Sequence, residues 1–219
     1  MRLQPIPPDA HELELEVAEE WNQMGGPPLD PAVSGQVGAQ LHLLYLWNRR
    51  FNLTAIRDPR EGVRRHGLEA LEATLIPDLP RAGLLADLGS GNGFPALPIL
   101  AARPGLAGLL VERSARKVDF LRAAARESGM AERVRVEQRV LARLDQLPEE
   151  IAILTLRGFP GPERWILEAV TLRPAASVLA WLSLDDAGRI AGLLRQRGAR
   201  SEVRPLRSSG TGAILRTGA

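Results

Sequence analysis

The sequence predicts an α/β protein: a doubly wound, mainly parallel sheet preceded by a helical extension. Three observations carry this. From Arg81 onward, short apolar runs alternate with helical segments of about ten residues, the pattern of strands joined by crossover helices. Residues 1–80 show helical periodicity and no strand pattern. The first apolar run after Arg81 ends in a cluster of glycines that opens a helix, where sheets of this kind bind ligands. The expected organisation is a helical extension over 1–80 packed on a sheet domain over 81–219.

In the extension, Leu13, Val17, Trp21 and Met24 recur at helical spacing over 9–24, and Gly25-Gly26-Pro27-Pro28 ends that helix. Asp30-Pro31 supplies an N-cap and a proline at the first helical position. Val33, Val37, Leu41, Leu44, Trp47 and Phe51 then mark one helical face, read as core rather than as base-stacking surface. Asp58-Pro59 repeats the cap signal, with Glu61 at the capping-box position of a helix reaching about Thr74.

In the sheet domain, GLLADLG (83–89) is a buried strand, followed by a helix over 94–102. AGLLVE (107–112) is the second strand. Ser114 caps a helix over 115–128 that Gly129 ends. RVRVE (133–137), IAILTL (151–156) and SVLAWLS (177–183) are strands three to five, with a helix over 162–172. Asp185 or Asp186 caps a helix to Gly198, and segments 200–206 and 211–216 form an antiparallel pair at one edge.

Composition removes several function classes. The chain has 219 residues and no cysteine, which excludes disulfides, thiolate metal sites and a cysteine nucleophile. Its three histidines are scattered, so no metal site is expected. Residues 1–10 are followed by Glu12, Glu14 and Glu16 where a leader would be apolar, and the longest apolar stretch is broken by Asp87 and Arg103. No membrane association and a cytoplasmic location are expected. The net charge is +2, yet the charge is unevenly placed. Residues 1–30 hold seven acids and one Arg, while residues 49–65 hold six Arg and two acids. An acidic head beside Arg-rich stretches suggests a polyanionic partner, although taken alone a solvated surface is the better account of such charge.

The segment that carries chemistry is Asp87-Leu-Gly89-Ser90-Gly91-Asn-Gly93-Phe94-Pro95. Gly89 and Gly91 permit backbone angles and a close ligand approach that a Cβ would block. A dinucleotide fingerprint reads G-x-G-x-x-G, whereas here the third glycine comes one residue early. Asp87 ahead of the glycines suits a cationic amino-acid moiety better than a pyrophosphate. The second strand ends in Glu112, which can accept both hydroxyls of a ribose. The combination resembles class I S-adenosylmethionine (SAM) methyltransferases.

Further segments narrow the resemblance. Asn52-Leu-Thr54-Ala-Ile56, His66-Gly-Leu-Glu69-Ala-Leu71, DLGSGNGFPALPIL (87–100) and VERSARKVDFL (111–121) follow one another in this order. In this the chain resembles the RsmG (GidB) family of bacterial small-subunit rRNA methyltransferases, which form N7-methylguanosine. The resemblance covers roughly residues 15–160. It implies a class I SAM-dependent fold of Rossmann-like type with an N-terminal helical extension. It implies SAM as cofactor, and 16S rRNA or the small ribosomal subunit as partner; separately, a monomer is expected.

The expected cofactor set is Asp87, Gly89, Ser90, Gly91, Gly93 and Phe94 from the loop. Glu112 and Arg113 join it after strand two, Val140 and Leu141 after strand three, and Arg157 after strand four. Arg157 stands where the family has the arginine of Ser-Arg-Ala. Departures are equally specific: Arg139-Val140-Leu141 replaces Arg-Ala-Glu, Ala152 replaces an Asp, Glu69 replaces an Asp, and Trp181 lies where the family keeps a Lys.

Guanine N7 has a free lone pair, so methyl transfer to it needs positioning rather than a general base. Arg157, His66 and Asn52 are the positioning candidates. Each has a plainer alternative: an ion pair for Arg157, helix packing for His66, and local turn bonds for Asn52 and Thr54. Arg49, Arg50, Arg57, Arg60, Arg64 and Arg65 are expected to form a basic rim for RNA, joined by Arg116 and Lys117. Two other functions fit the same loop: a SAM-dependent enzyme acting on a small molecule, and a catalytically inactive RNA-binding paralogue.

Overall fold

The computed structural model describes residues 6–218; Met1–Pro5, the first half of the segment read above for a leader, and Ala219 lie outside them. The sheet has seven strands in the order β3-β2-β1-β4-β5-β7-β6. They are β1 (Ala82–Leu88), β2 (Gly105–Glu112), β3 (Val134–Gln138), β4 (Ile153–Arg157), β5 (Ser177–Leu182), β6 (Ser201–Pro205) and β7 (Ala213–Thr217). The first five run parallel. The last two pair antiparallel at one edge, as expected, and β7 inserts between β5 and β6, also antiparallel to β5. Strand order reverses between β1 and β4, which opens a crevice at the carboxyl ends of the strands.

One face of the sheet is covered by α5 (Ala96–Ala102), α6 (Ala115–Glu127) and the N-terminal helices; the other by α7 (Pro162–Leu172) and α8 (Leu184–Gln196). Asp9 caps α1 (Ala10–Gln23) reciprocally with Glu12, and Asp30 caps α2 (Pro31–Asn48) through the Ala32 amide. Leu13, Val17 and Trp21 of α1 and Val37, Leu41 and Leu44 of α2 share one buried cluster with Leu97, Leu100, Phe120 and Leu121. Phe51 lies beyond the end of α2, while Trp47 packs edge-on against Phe120, centroids 5.6 Å apart.

Several expected details resolve differently. The third helix is four successive pieces: α3 (Pro59–Gly62), a π-helical stretch Val63–Leu68, α4 (Glu69–Leu71) and a 3-10 turn Glu72–Leu75. Asp58 caps it, but Glu61 does not close a capping box; it pairs with Arg65, one turn on, at 3.0 Å. Ser114 stands at the N-cap of α6 without a side-chain bond; its own amide goes to the Glu112 carboxylate. Ser183, not Asp185 or Asp186, caps α8, its hydroxyl accepting from the Asp186 amide at 3.1 Å. Helix α5 starts at Ala96 rather than residue 94. Pro95 and Pro98 have no N–H to offer the first turn.

Candidate cofactor and substrate site

The glycine-rich turn joins β1 to α5 at the crevice. Gly89, Gly91 and Gly93 all have positive φ (65°, 55° and 82°), a region closed to most side chains. Ser90 N–H bonds to the Val111 carbonyl at 3.1 Å, locking the turn against β2. The central brace is Glu112, at the end of β2. Its Oε2 accepts from Gly91 N–H at 3.0 Å and its Oε1 from Ser114 N–H at 2.8 Å. One carboxylate thus ties the turn to the start of α6, whose dipole favours negative charge there.

Asp87 lies beneath the turn and is 1 % exposed. Its Oδ1 accepts from the Thr155 hydroxyl of neighbouring β4 at 2.6 Å, and its Oδ2 has no partner. Burial pushes its carboxyl up to about 6, against the opposing pull of Thr155. A cavity of about 380 Å³ opens beside the turn, lined by Gly89, by Val111 to Arg113, and by Lys117 of α6. Arg139 to Leu141 after β3, Gly158 to Pro160 after β4, and Trp165 of α7 complete it. The Phe159 ring lies so close to Gly89 that a Cβ there would come within 2.4 Å of it, and Trp165 meets that ring edge-on at 5.3 Å.

Of the expected cofactor residues, Gly89, Glu112, Arg113, Val140 and Leu141 line this cavity. Asp87, Ser90, Gly91 and Gly93 support it from the turn and strand without lining it. Phe94 is buried away from it, stacked on His66 with ring centroids 5.1 Å apart. Phe159 and Trp165 were not anticipated. They stand on a loop and on a separate helix, so neither periodicity nor a fixed motif spacing links them.

A second polar cluster sits between the helical extension and β4. Arg157 is not among the cavity-lining residues. Its Nη2 donates to the Glu69 carboxylate at 2.6 Å and to the Arg65 carbonyl. Both side chains are largely buried, at 19 % and 5 % exposed, and burial pushes the Glu69 carboxyl up. His66, on the π-helical stretch, bonds through Nε2 with the Thr54 hydroxyl at 2.9 Å, while its Nδ1 has no partner. Burial, with Arg157 and Arg65 nearby, pulls its pKa down to about 3. The Asn-Leu-Thr turn is held by the buried Asn48. Its carbonyl oxygen accepts from the Leu53 and Thr54 amides, and its amide nitrogen donates to the Thr54 carbonyl. Asn52 is exposed and accepts only from Arg57, at 3.3 Å.

The expected basic rim is partly neutralised. Arg64 forks onto Glu20, Arg60 approaches Glu16 at 3.9 Å, and Arg65 pairs with Glu61. Arg116 lies over the Phe51 ring at 5.6 Å. Arg49, Arg50, Arg57, Arg113 and Lys117 form no ion pair among the described residues. No group of residues suited to a metal and no helix long and apolar enough to cross a membrane occurs among them.

A family model described as rRNA small subunit methyltransferase G matches residues 36–179. The Ribosomal RNA small subunit methyltransferase G of Stenotrophomonas maltophilia is 36% identical over 189 residues, covering 84% of this chain and 85% of that protein. The protein of the same name from Xanthomonas oryzae is 38% identical over 166 residues, covering 75% and 76%. Two solved structures share the fold at low identity. A SAM-dependent methyltransferase from Aquifex aeolicus has a TM-score of 0.55 at 13% identity, over 72% of this chain and 92% of that one. Aeropyrum pernix fibrillarin, solved with bound SAM, has 0.54 at 16%, over 70% and 75%.

Proposed function

Starting from the fact that the chain belongs to the rRNA small subunit methyltransferase G family, we propose that it methylates guanine N7 in the RNA of the small ribosomal subunit, with SAM as donor. The observation that carries the proposal is the Glu112 brace. A carboxylate that fixes a three-glycine turn through Gly91 and a helix start through Ser114 lines a cavity of nucleoside size. Each of its oxygens keeps a lone pair for a ribose hydroxyl.

The residues present fit SAM. Asp87 Oδ2 is a buried, unpartnered acceptor under the turn, suited to the ammonium of the methionine moiety. Gly89 and Gly91 leave the backbone open to close approach. Bound SAM supplies a methyl group on a cationic sulfur. The task of the protein is to place guanine N7 in line with it and to keep water out. No general base is required, which suits a site whose one buried imidazole, His66, is a very weak base. The helical extension 1–80 would face the RNA beside the sheet domain 81–219, and ribosomal RNA as substrate places the activity in the cytoplasm. Arg49, Arg50, Arg57, Arg113, Arg116 and Lys117 are the cations left for phosphates.

The test is transfer of labelled methyl from SAM to small subunits that lack the modification, with the product mapped by mass spectrometry. Label on guanine N7 is the expected result. S-adenosylhomocysteine (SAH) binding without transfer to RNA would point to a small-molecule substrate instead. RNA binding without SAH binding would mark an inactive paralogue.

A further inference from the structure

Glu112 is the one carboxylate lining the cofactor cavity; its two oxygens hold the Gly91 and Ser114 amides, and the lone pairs left are those the ribose hydroxyls take in the SAM reading. Beyond it the walls change character. On the β3 side stand Val140 and Leu141; on the β4 side stand Phe159 and Trp165. Val140 is 72 % exposed, an apolar side chain held in water at the cavity mouth. The cations at the same opening, Arg113, Lys117 and Arg139, donate hydrogen bonds and accept none. The nearby Glu137 is occupied by Arg135 at 2.8 Å and Arg139 at 3.0 Å.

We propose that this cavity holds the adenine of the cofactor through its faces, between an aliphatic and an aromatic wall, with no side-chain acceptor for the exocyclic N6 amine. The chain therefore binds cofactor analogues dialkylated at N6. The inference rests on the SAM reading of the same cavity and concerns how the base is told from others. A site that hydrogen-bonds an amine rejects an analogue that cannot donate, because a buried acceptor is left unpaired. A site that contacts only the ring faces loses little.

Calorimetric titration of the full chain with SAH and with N6,N6-dimethyl-SAH tests this without any turnover. The two dissociation constants are expected to agree within about threefold. The variant Leu141→Asp places an acceptor on the β3 wall. It is expected to favour SAH over the dimethyl compound by about tenfold or more, the size of one hydrogen bond. Loss of the dimethyl compound by wild type, with SAH binding intact, overturns the inference and leaves the SAM reading standing. Equal binding of both by Leu141→Asp overturns the placement of the adenine against the β3 wall, and the inference with it. Absence of SAH binding by folded protein overturns the SAM reading, and the inference with it.

Discussion

Asp87 accepts from Thr155 on one oxygen and from nothing on the other, and burial holds its carboxyl at about 6. An ammonium brought to the free oxygen needs the ionised form. SAH affinity should therefore be flat above pH 6 and fall below it, by up to about tenfold per pH unit. Asp87→Asn should bind SAH more weakly at pH 8, by about tenfold or more, and lose this pH dependence. Calorimetry from pH 5 to 8 reads both effects; wild-type affinity unchanged at pH 5 would remove Asp87 from the ammonium site. His66 makes a second pH-linked prediction of different origin. Its folded pKa, about 3, lies below the unfolded 6.5. The stability it contributes is present above pH 6.5 and lost as pH falls toward 3. Relative to His66→Gln, wild type should lose about 1.4 kcal/mol per pH unit across that window, measured by urea unfolding. A constant difference between the two proteins would show that His66 is not buried neutral. Asp87 acts in the opposite sense, since its raised pKa favours the folded state at low pH, so the comparison must be between variants and not of wild type alone.

The elements meet through a few close contacts. Arg157 at the end of β4 is bound to Glu69 of α4 in a largely buried pair. Removing only the cation leaves a buried carboxylate unpaired, so Arg157→Gln should cost about 3–5 kcal/mol, and Glu69→Gln added to it should recover part of the loss. Chemical denaturation of the two variants checks this; a double variant less stable than the single one would contradict it. Helices α1 and α2 touch backbone to backbone at Gly38, where a Cβ would lie 2.6 Å from the Glu14 amide nitrogen and 2.7 Å from the Ala10 carbonyl. Gly38→Ala should destabilise by about 2 kcal/mol or more despite its better helix propensity, because backbone cannot step aside as a side chain can. Element limits of this kind were legible where one signal was strong. Pro162 opens α7 as expected, Asp30-Pro31 opens α2, and the glycine turn follows β1. The sequence was silent where two residues compete for one role. Ser183 precedes Asp185 and Asp186, and any of the three could cap α8. The π-helical stretch cannot be told from an ordinary helix over six residues of sequence, so the bonds of His66 to Thr54 and of Glu69 to Arg157, both distant along the chain, were not legible. The cofactor loop and Glu112 were visible because they are local in sequence. The aromatic wall was hidden because Phe159 and Trp165 become neighbours of Gly89 only when β4 lies beside β1.

At the scale of the whole molecule, the charge asymmetry of the sequence folds back on itself. The acidic head and the Arg-rich stretch, separate along the chain, are brought together where α1 runs beside the π-helical segment. Glu20 takes Arg64 and Glu16 faces Arg60. The cations expected to meet RNA are therefore partly screened by the protein's own carboxylates, and the rim is less positive than its arginine count implies. Exposed pairs of this kind contribute about 0–1 kcal/mol to folding, so removing their acids should leave stability nearly unchanged. Their effect on a polyanion is larger, because each released arginine can displace a counterion from a phosphate. The double variant Glu16→Gln/Glu20→Gln should bind ribosomal RNA more tightly at low salt, by about three- to tenfold, and its affinity should fall more steeply with salt, by up to about two further ions in the slope. Binding measured across 50–200 mM salt, roughly the range over which such contacts weaken most visibly, reads affinity and slope together. A tighter complex with an unchanged slope would mean that Arg60 and Arg64 meet something other than phosphate. No change in either would place the RNA on another face of the protein, and would shift attention to Arg113 and Lys117, which line the cofactor cavity, and to Arg116, which lies over the Phe51 ring.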